Sequence, residues 1–114
     1  MSLKTERINN NLKIEISKIL ANEVEDKSIK FVTVTAVETT NDLSLAKVYV
    51  TILDDLKRDE IMKALLNAKG FIRSQLFDRV ELRKIPDLRF LYDQSIEEGF
   101  KIEKIIKEQI NHDV

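Results

Sequence analysis

The stretch FVTVTAVETTNDLSLAKVYVTI, running from Phe31 to Ile52, decides the fold. Phe31 to Val37 and Leu45 to Ile52 are rich in β-branched residues, and Asn41-Asp42 between them supplies turn formers, so the pattern predicts a β-hairpin. Alternation assigns its faces. Val32, Val34 and Ala36 on one strand, with Ala46, Val48, Val50 and Ile52 on the other, make an apolar face that helices should cover. Thr33, Thr35, Lys47, Tyr49 and Thr51 make the opposite, wetter face. Tyr49 is read as a half-buried packing residue, because aromatic side chains are common in strands.

On the N-terminal side, Ile8, Leu12, Ile16, Ile19 and Leu20 recur at spacings of three and four between Thr5 and about Val24. That is the period of an amphipathic helix, with Thr5 as its expected N-cap. On the C-terminal side, Asp54-Asp55 are expected to cap a helix with Leu56, Ile61, Leu65 and Leu66 apolar, and Asp59 and Glu60 suit the positive end of its dipole. This helix is expected to stop at Gly70, where glycine takes a left-handed backbone without steric cost. A second helix, about Phe71 to Val80, then turns Ile72, Leu76, Phe77 and Val80 inward. Pro86 disfavours helix at Ile85, so the chain turns before a third strand, Leu88 to Tyr92. Ser95-Ile96-Glu97-Glu98 matches a capping box and opens a last helix through about Ile110, with Phe100, Ile102, Ile105 and Ile106 apolar. Gly99 within it reads as a close-packing position, and His112 lies in a tail without catalytic weight. The predicted order is α-β-β-α-α-β-α, an α+β fold with one three-stranded sheet and helices on one face.

Composition bounds the function. The 114 residues suit a single domain, 1–114, with 1–4 and 111–114 frayed. With no Cys and one His, disulfides, a structural zinc site and a thiol nucleophile are excluded. The absence of an apolar leader and of any run long enough to span a bilayer leads to the expectation of a soluble, unexported chain in a reducing cytoplasm. Net charge is only −1, yet it is unevenly placed. Residues 63 to 89 carry Lys63, Lys69, Arg73, Arg79, Arg83, Lys84 and Arg89 against Asp78, Glu81 and Asp87, a net of +4 that leaves −5 on the rest. One segment is thus a candidate surface for a polyanion, set in an acidic body.

The predicted order, with a basic helix pair joined at small residues, resembles the KH family of single-stranded RNA binders, in its type II arrangement. The usual GXXG loop is absent, and Ala68-Lys69-Gly70 stands in its place. The chain as a whole is similar to the ribosome-binding factor A family. The resemblance rests on Thr5-Glu6-Arg7, Val34-Thr35-Ala36-Val37, Asp42 to Val50, Ala64 to Arg73, Leu82 to Phe90 and Asp93 to Gly99, in that order. It implies a KH-like domain with a helix-kink-helix at Ala68-Lys69-Gly70. It further implies binding to the free or immature 30S ribosomal subunit and its 16S ribosomal RNA in the bacterial cytoplasm, in support of late 16S maturation. No cofactor, metal, membrane or small-molecule substrate is expected, and a monomer is the default.

The expected RNA contacts are Ala68, Lys69, Gly70, Arg73, Arg79, Arg83 and Lys84. A break at Gly70 would leave a helix N-terminus whose free N–H groups receive a phosphate, with Lys69 unpaired at the tip and Arg73 on the next turn. As ordinary chemistry, Gly70 is a helix cap and the cations are a solvated face. Two other readings stand beside this one. The first is a protein-binding adaptor that uses the outer face of the hairpin. The second is a metal-dependent enzyme at Asp54, Asp55, Asp59 and Glu60, although capping and dipole effects already account for acids at a helix start.

Overall fold

The apolar stripe from Ile8 to Leu20 forms one face of a long helix, and the two β-branched runs pair as a hairpin beneath it. The computed structural model describes residues 3–95. Its elements are α1 (Leu3–Asn22), β1 (Val32–Thr39), β2 (Leu45–Ile52), α2 (Arg58–Phe77) and β3 (Asp87–Tyr92), with 3-10 turns at Lys27–Phe31 and Asp55–Lys57. The helix expected from Ser95 to Ile110 lies outside the described residues, as do Gly99 and His112.

The sheet order is β1-β2-β3. β1 and β2 pair antiparallel, while β2 and β3 pair in parallel, with Leu45 opposite Asp87 and Val50 opposite Tyr92. A parallel neighbour requires a crossover, and α2 supplies it. Both helices cover one face of the sheet. Leu12, Ile16 and Ile19 of α1, Val48 and Val50 of β2, and Leu65, Ile72 and Leu76 of α2 are completely buried in a single core. Each such side chain contributes about 1.5–3 kcal/mol relative to an exposed position. Asn9 joins helix to sheet, its Oδ1 accepting from the Thr39 amide at 3.0 Å and the Thr39 hydroxyl at 2.7 Å.

Several expectations are corrected. The alternation on β1 holds only to Val34, because the register shifts between Val34 and Ala36. Past this bulge Val37 is buried opposite Val48, and Ala36 pairs with Tyr49 on the outer face. An extra residue in one strand reverses every later side chain, and Thr35 at the bulge is held by donating to Asp93 Oδ2 at 2.6 Å. Asp54 caps the 3-10 turn, accepting from the Leu56 amide, whereas α2 starts after Lys57 without a side-chain cap. Leu56 is 98% exposed instead of lying on an inward face. Helix α1 already includes Leu3, so Thr5 is inside it and does not cap it.

The largest correction concerns Gly70. One continuous helix runs through Ala68, Lys69 and Gly70, and Gly70 has no positive φ. The expected division into two helices, with a free N-terminus at Phe71, is absent from α2. The helix ends at Phe77, short of the expected Val80, and Phe77 is exposed. Packing explains the continuity: Leu65, Ile72 and Leu76 on either side of Gly70 are all fully buried on one face, and that burial exceeds the propensity penalty of about 1 kcal/mol for one glycine.

Candidate nucleic-acid interface

Helix α2 meets the start of β3 through two of its cations. Lys69 and Arg73 are one turn apart on the same side of the helix. Lys69 Nζ lies 3.1 Å from Asp87 Oδ1, which corrects the expectation of an unpaired tip residue. The hydrogen bond from Lys69 holds the Asp87 carboxyl below its usual range, with smaller help from the Leu88 amide and the Arg73 charge. Arg73 Nε donates to the Pro86 carbonyl at 3.1 Å, and its Nη2 donates to the Ile85 carbonyl at 3.0 Å. Ile85 and Pro86 are buried, and Arg73 satisfies their part-buried main-chain carbonyls.

Arg79, just past the helix, reaches back to α1 and pairs with both Glu15 and Glu23. Three of the five expected cations are therefore engaged in holding α1, α2 and β3 together. Arg83 and Lys84 differ. Both are exposed on the connection before β3, and neither has an ion pair or hydrogen bond among the described residues. Ala68 is half-buried against the core, on the side of α2 that faces the 3-10 turn at Lys27–Phe31. Gly70 is on the opposite, solvent side, where an added Cβ would meet nothing within 4 Å.

Alongside these residues, α2 and β3 enclose a groove of about 630 Å³. Its floor is apolar, with Leu45, Met62, Leu66, Leu88 and Phe90, and Lys63, Lys69 and Arg89 stand at its margin. Asp87, the one acid in its lining, is already paired with Lys69. Among the described residues β3 is an edge strand, and one side of its backbone has no ladder partner there. An apolar floor, a cationic margin and an open strand edge together provide stacking, charge neutralisation and hydrogen bonds, the three contacts that unpaired nucleotides use.

A family model described as ribosome-binding factor A matches residues 4–106. The chain belongs to the ribosome-binding factor A family. Ribosome-binding factor A of Macrococcus caseolyticus is 49% identical over 114 residues, covering 99% of each chain. Among solved structures, the crystal structure of ribosome-binding factor A from Thermus thermophilus matches with a TM-score of 0.73 and 26% identity, covering 80% of this chain and 97% of that one. A Thermus thermophilus homology model, fitted into the cryo-EM map of a 30S–RbfA complex, matches with a TM-score of 0.62 and 28% identity, covering 75% of this chain and 91% of that one. The architecture is thus the α+β, KH-like one that the sequence resemblance implies.

In this member of the ribosome-binding factor A family, the groove adds residues that the sequence reading assigned elsewhere. Leu66, one of the apolar positions of the expected helix, is 61% exposed at the groove, and Arg89, named in the sequence only as part of the basic run, alternates outward from buried Leu88. Lys63 was visible only as one charge of the basic run. Of the acids at 54 to 60, Asp54 caps its turn, and Asp55 lies 2.5 Å from Arg58, whose guanidinium stacks 3.7 Å from the centre of the Tyr92 ring, while Asp59 and Glu60 sit exposed in the first turn of α2. Among the described residues no group of three or more His, Cys, Asp or Glu is arranged to hold a metal, and no helix is long and apolar enough to cross a membrane.

Proposed function

We propose that this chain binds the free, immature small ribosomal subunit in the bacterial cytoplasm as a monomer, contacts 16S ribosomal RNA, and supports its late maturation by binding alone. The observation that carries this reading is the groove between α2 and β3, whose only acid is neutralised within the chain while Lys63 and Arg89 remain at its margin. The parallel with the Thermus relative, which was fitted into a 30S complex, points to the same partner.

The expected contact residues take different parts in this proposal. Arg83 and Lys84, unengaged among the described residues, offer their charge to phosphates, and Lys69 exchanges Asp87 for a phosphate when RNA enters the groove. Arg73 and Arg79 hold the connection between α2 and β3 in place. Gly70 leaves the helix surface low where a nucleotide backbone approaches, while Ala68, on the opposite side of α2, packs against the core. Phosphate contacts supply affinity, and the shape of the subunit supplies specificity.

Co-sedimentation with free small subunits at two salt concentrations tests this. The variant Lys63→Glu/Arg83→Glu/Lys84→Glu leaves every described internal ion pair intact, and it is expected to abolish most binding. Each phosphate that no longer meets a cation flattens the log–log salt dependence by roughly 0.7 on single strands. Wild-type binding by that variant would strike out the site, and failure of the wild type to sediment with any ribosomal particle would strike out the function.

A further inference from the structure

A second groove, sharing no lining residue with the first, lies between the first half of α1 and the chain just after α2. Two adjoining hollows, of about 350 and 360 Å³, share Arg7, Ile8, Glu81 and Leu82 and so form one trough. Its floor is apolar, built by Ile8, Leu12, Val80 and Leu82. Along one wall stand Lys4, Arg7 and Asn11, at helical spacings of three and four. All three are exposed, and none has a hydrogen bond or ion pair among the described residues. Glu81, also exposed and without a partner among the described residues, is the one acid in the lining. Arg79 closes the inner end, fixed there by Glu15 and Glu23.

We infer that this trough is a second RNA site, taking one unpaired nucleotide whose base carries an exocyclic amino group. The inference rests on the RNA-binding reading above and extends it to a surface outside the α2–β3 groove. Each wall has a matching part in such a ligand. A planar base lies on the floor of Ile8, Val80 and Leu82, and its phosphates face Lys4 and Arg7. The Asn11 amide, with both donors and an acceptor, reaches the base edge. Glu81 fixes the choice of base. A carboxylate only accepts, so it pairs with the amino groups of cytosine, adenine or guanine, whereas the single N3–H donor of uracil lies between two carbonyl acceptors that repel it. Charge also selects the ligand class, because Lys4 and Arg7, without an ion pair among the described residues, stand against one acid, and that acid has a role in reading the base. Arg83 and Lys84 follow Leu82 directly in the chain, so a strand leaving the trough meets further cations.

The full chain is titrated with six-residue oligo(C) and oligo(U) RNA, by fluorescence anisotropy at two salt concentrations and by amide chemical shifts. Oligo(C) is expected to bind about fivefold more tightly than oligo(U), a single base-edge contact, with shifts at Arg7, Asn11 and Leu82. Arg7→Ala should weaken both RNAs alike and flatten the salt dependence by roughly 0.7. Glu81→Gln should bring the two affinities together. All the substituted positions are exposed, so the variants are expected to fold. Equal binding of the two RNAs by the wild type, undiminished binding by Arg7→Ala, or displacement of oligo(C) from these amides by polyglutamate of equal charge would each overturn the site. Sedimentation with small subunits is read separately. Its failure in the wild type refutes docking on the subunit, whereas the base preference and the trough shifts stand or fall by themselves.

Discussion

Replacing Gly70 with Ala separates two explanations of why glycine occupies this position. Gly70 lies inside the continuous helix Arg58–Phe77, without a positive φ, and a Cβ there meets nothing within 4 Å. The chain itself therefore gains nothing from glycine, which in a helix interior is about 0.8–1.0 kcal/mol less favourable than Ala. Gly70→Ala should stabilise the protein by about 1 kcal/mol, which for a domain near this size raises Tm by about 4–8 °C. A left-handed break, as the sequence reading expected, gives the opposite sign, because a Cβ in that conformation costs roughly 1–2 kcal/mol. Circular-dichroism melting of both proteins in one buffer measures the sign directly. The same samples, sedimented with small subunits, should bind less well as Ala than as Gly, since the new methyl group stands where the RNA backbone approaches. A lower Tm would refute the continuous helix. A higher Tm with undiminished binding would refute close approach as the reason for the glycine.

Leu43 is the one non-glycine residue with positive φ among those described, at 58°, in the turn that Asp42 organises through Thr40 and Ser44. Leu43→Gly should relieve about 1 kcal/mol, seen as a higher urea midpoint at unchanged m. Arg73→Gln should cost about 2–3 kcal/mol by leaving the Ile85 and Pro86 carbonyls without their charged donor, and amide exchange should quicken around residues 85–88. Acid should destabilise the fold in a defined window. Asp42 is lowered from 3.8 to about 2, chiefly by the Ser44 and Thr40 hydroxyls, and Asp87 and Asp93 are also lowered. A carboxyl depressed in the folded state stabilises it above its unfolded value and loses that contribution as pH falls through the folded one. Stability should therefore drop below about pH 4, and Asp42→Asn should remove part of that drop.

What could be read from the sequence, and what could not, divides by how far away a residue's partner lies. The stripe at Ile8, Leu12, Ile16 and Ile19 and the alternation at Ala46, Val48, Val50 and Ile52 encode burial within their own periods, and every one of those seven strand and helix positions from Leu12 onward is buried. The bulge after Val34 carries no such signal, because one extra residue in a Thr-Val run leaves the composition unchanged while it exchanges Ala36 for Val37 on the inner face. Gly70 is locally a helix stop, and only the packing of Leu65, Ile72 and Leu76 shows why the helix continues through it. The basic run is the sharpest case. Lys69 finds Asp87 eighteen positions on, Arg79 finds Glu15 on α1 and Glu23 just past its end, and Arg73 finds main-chain carbonyls that no residue pattern displays. A count of charge in residues 63 to 89 thus marks a basic segment, but the share of it available to a polyanion depends on which cations the fold has already engaged. On that basis Arg83, Lys84 and Lys63 should govern the salt dependence of binding, and Arg73 and Arg79 the stability of the surface that presents them.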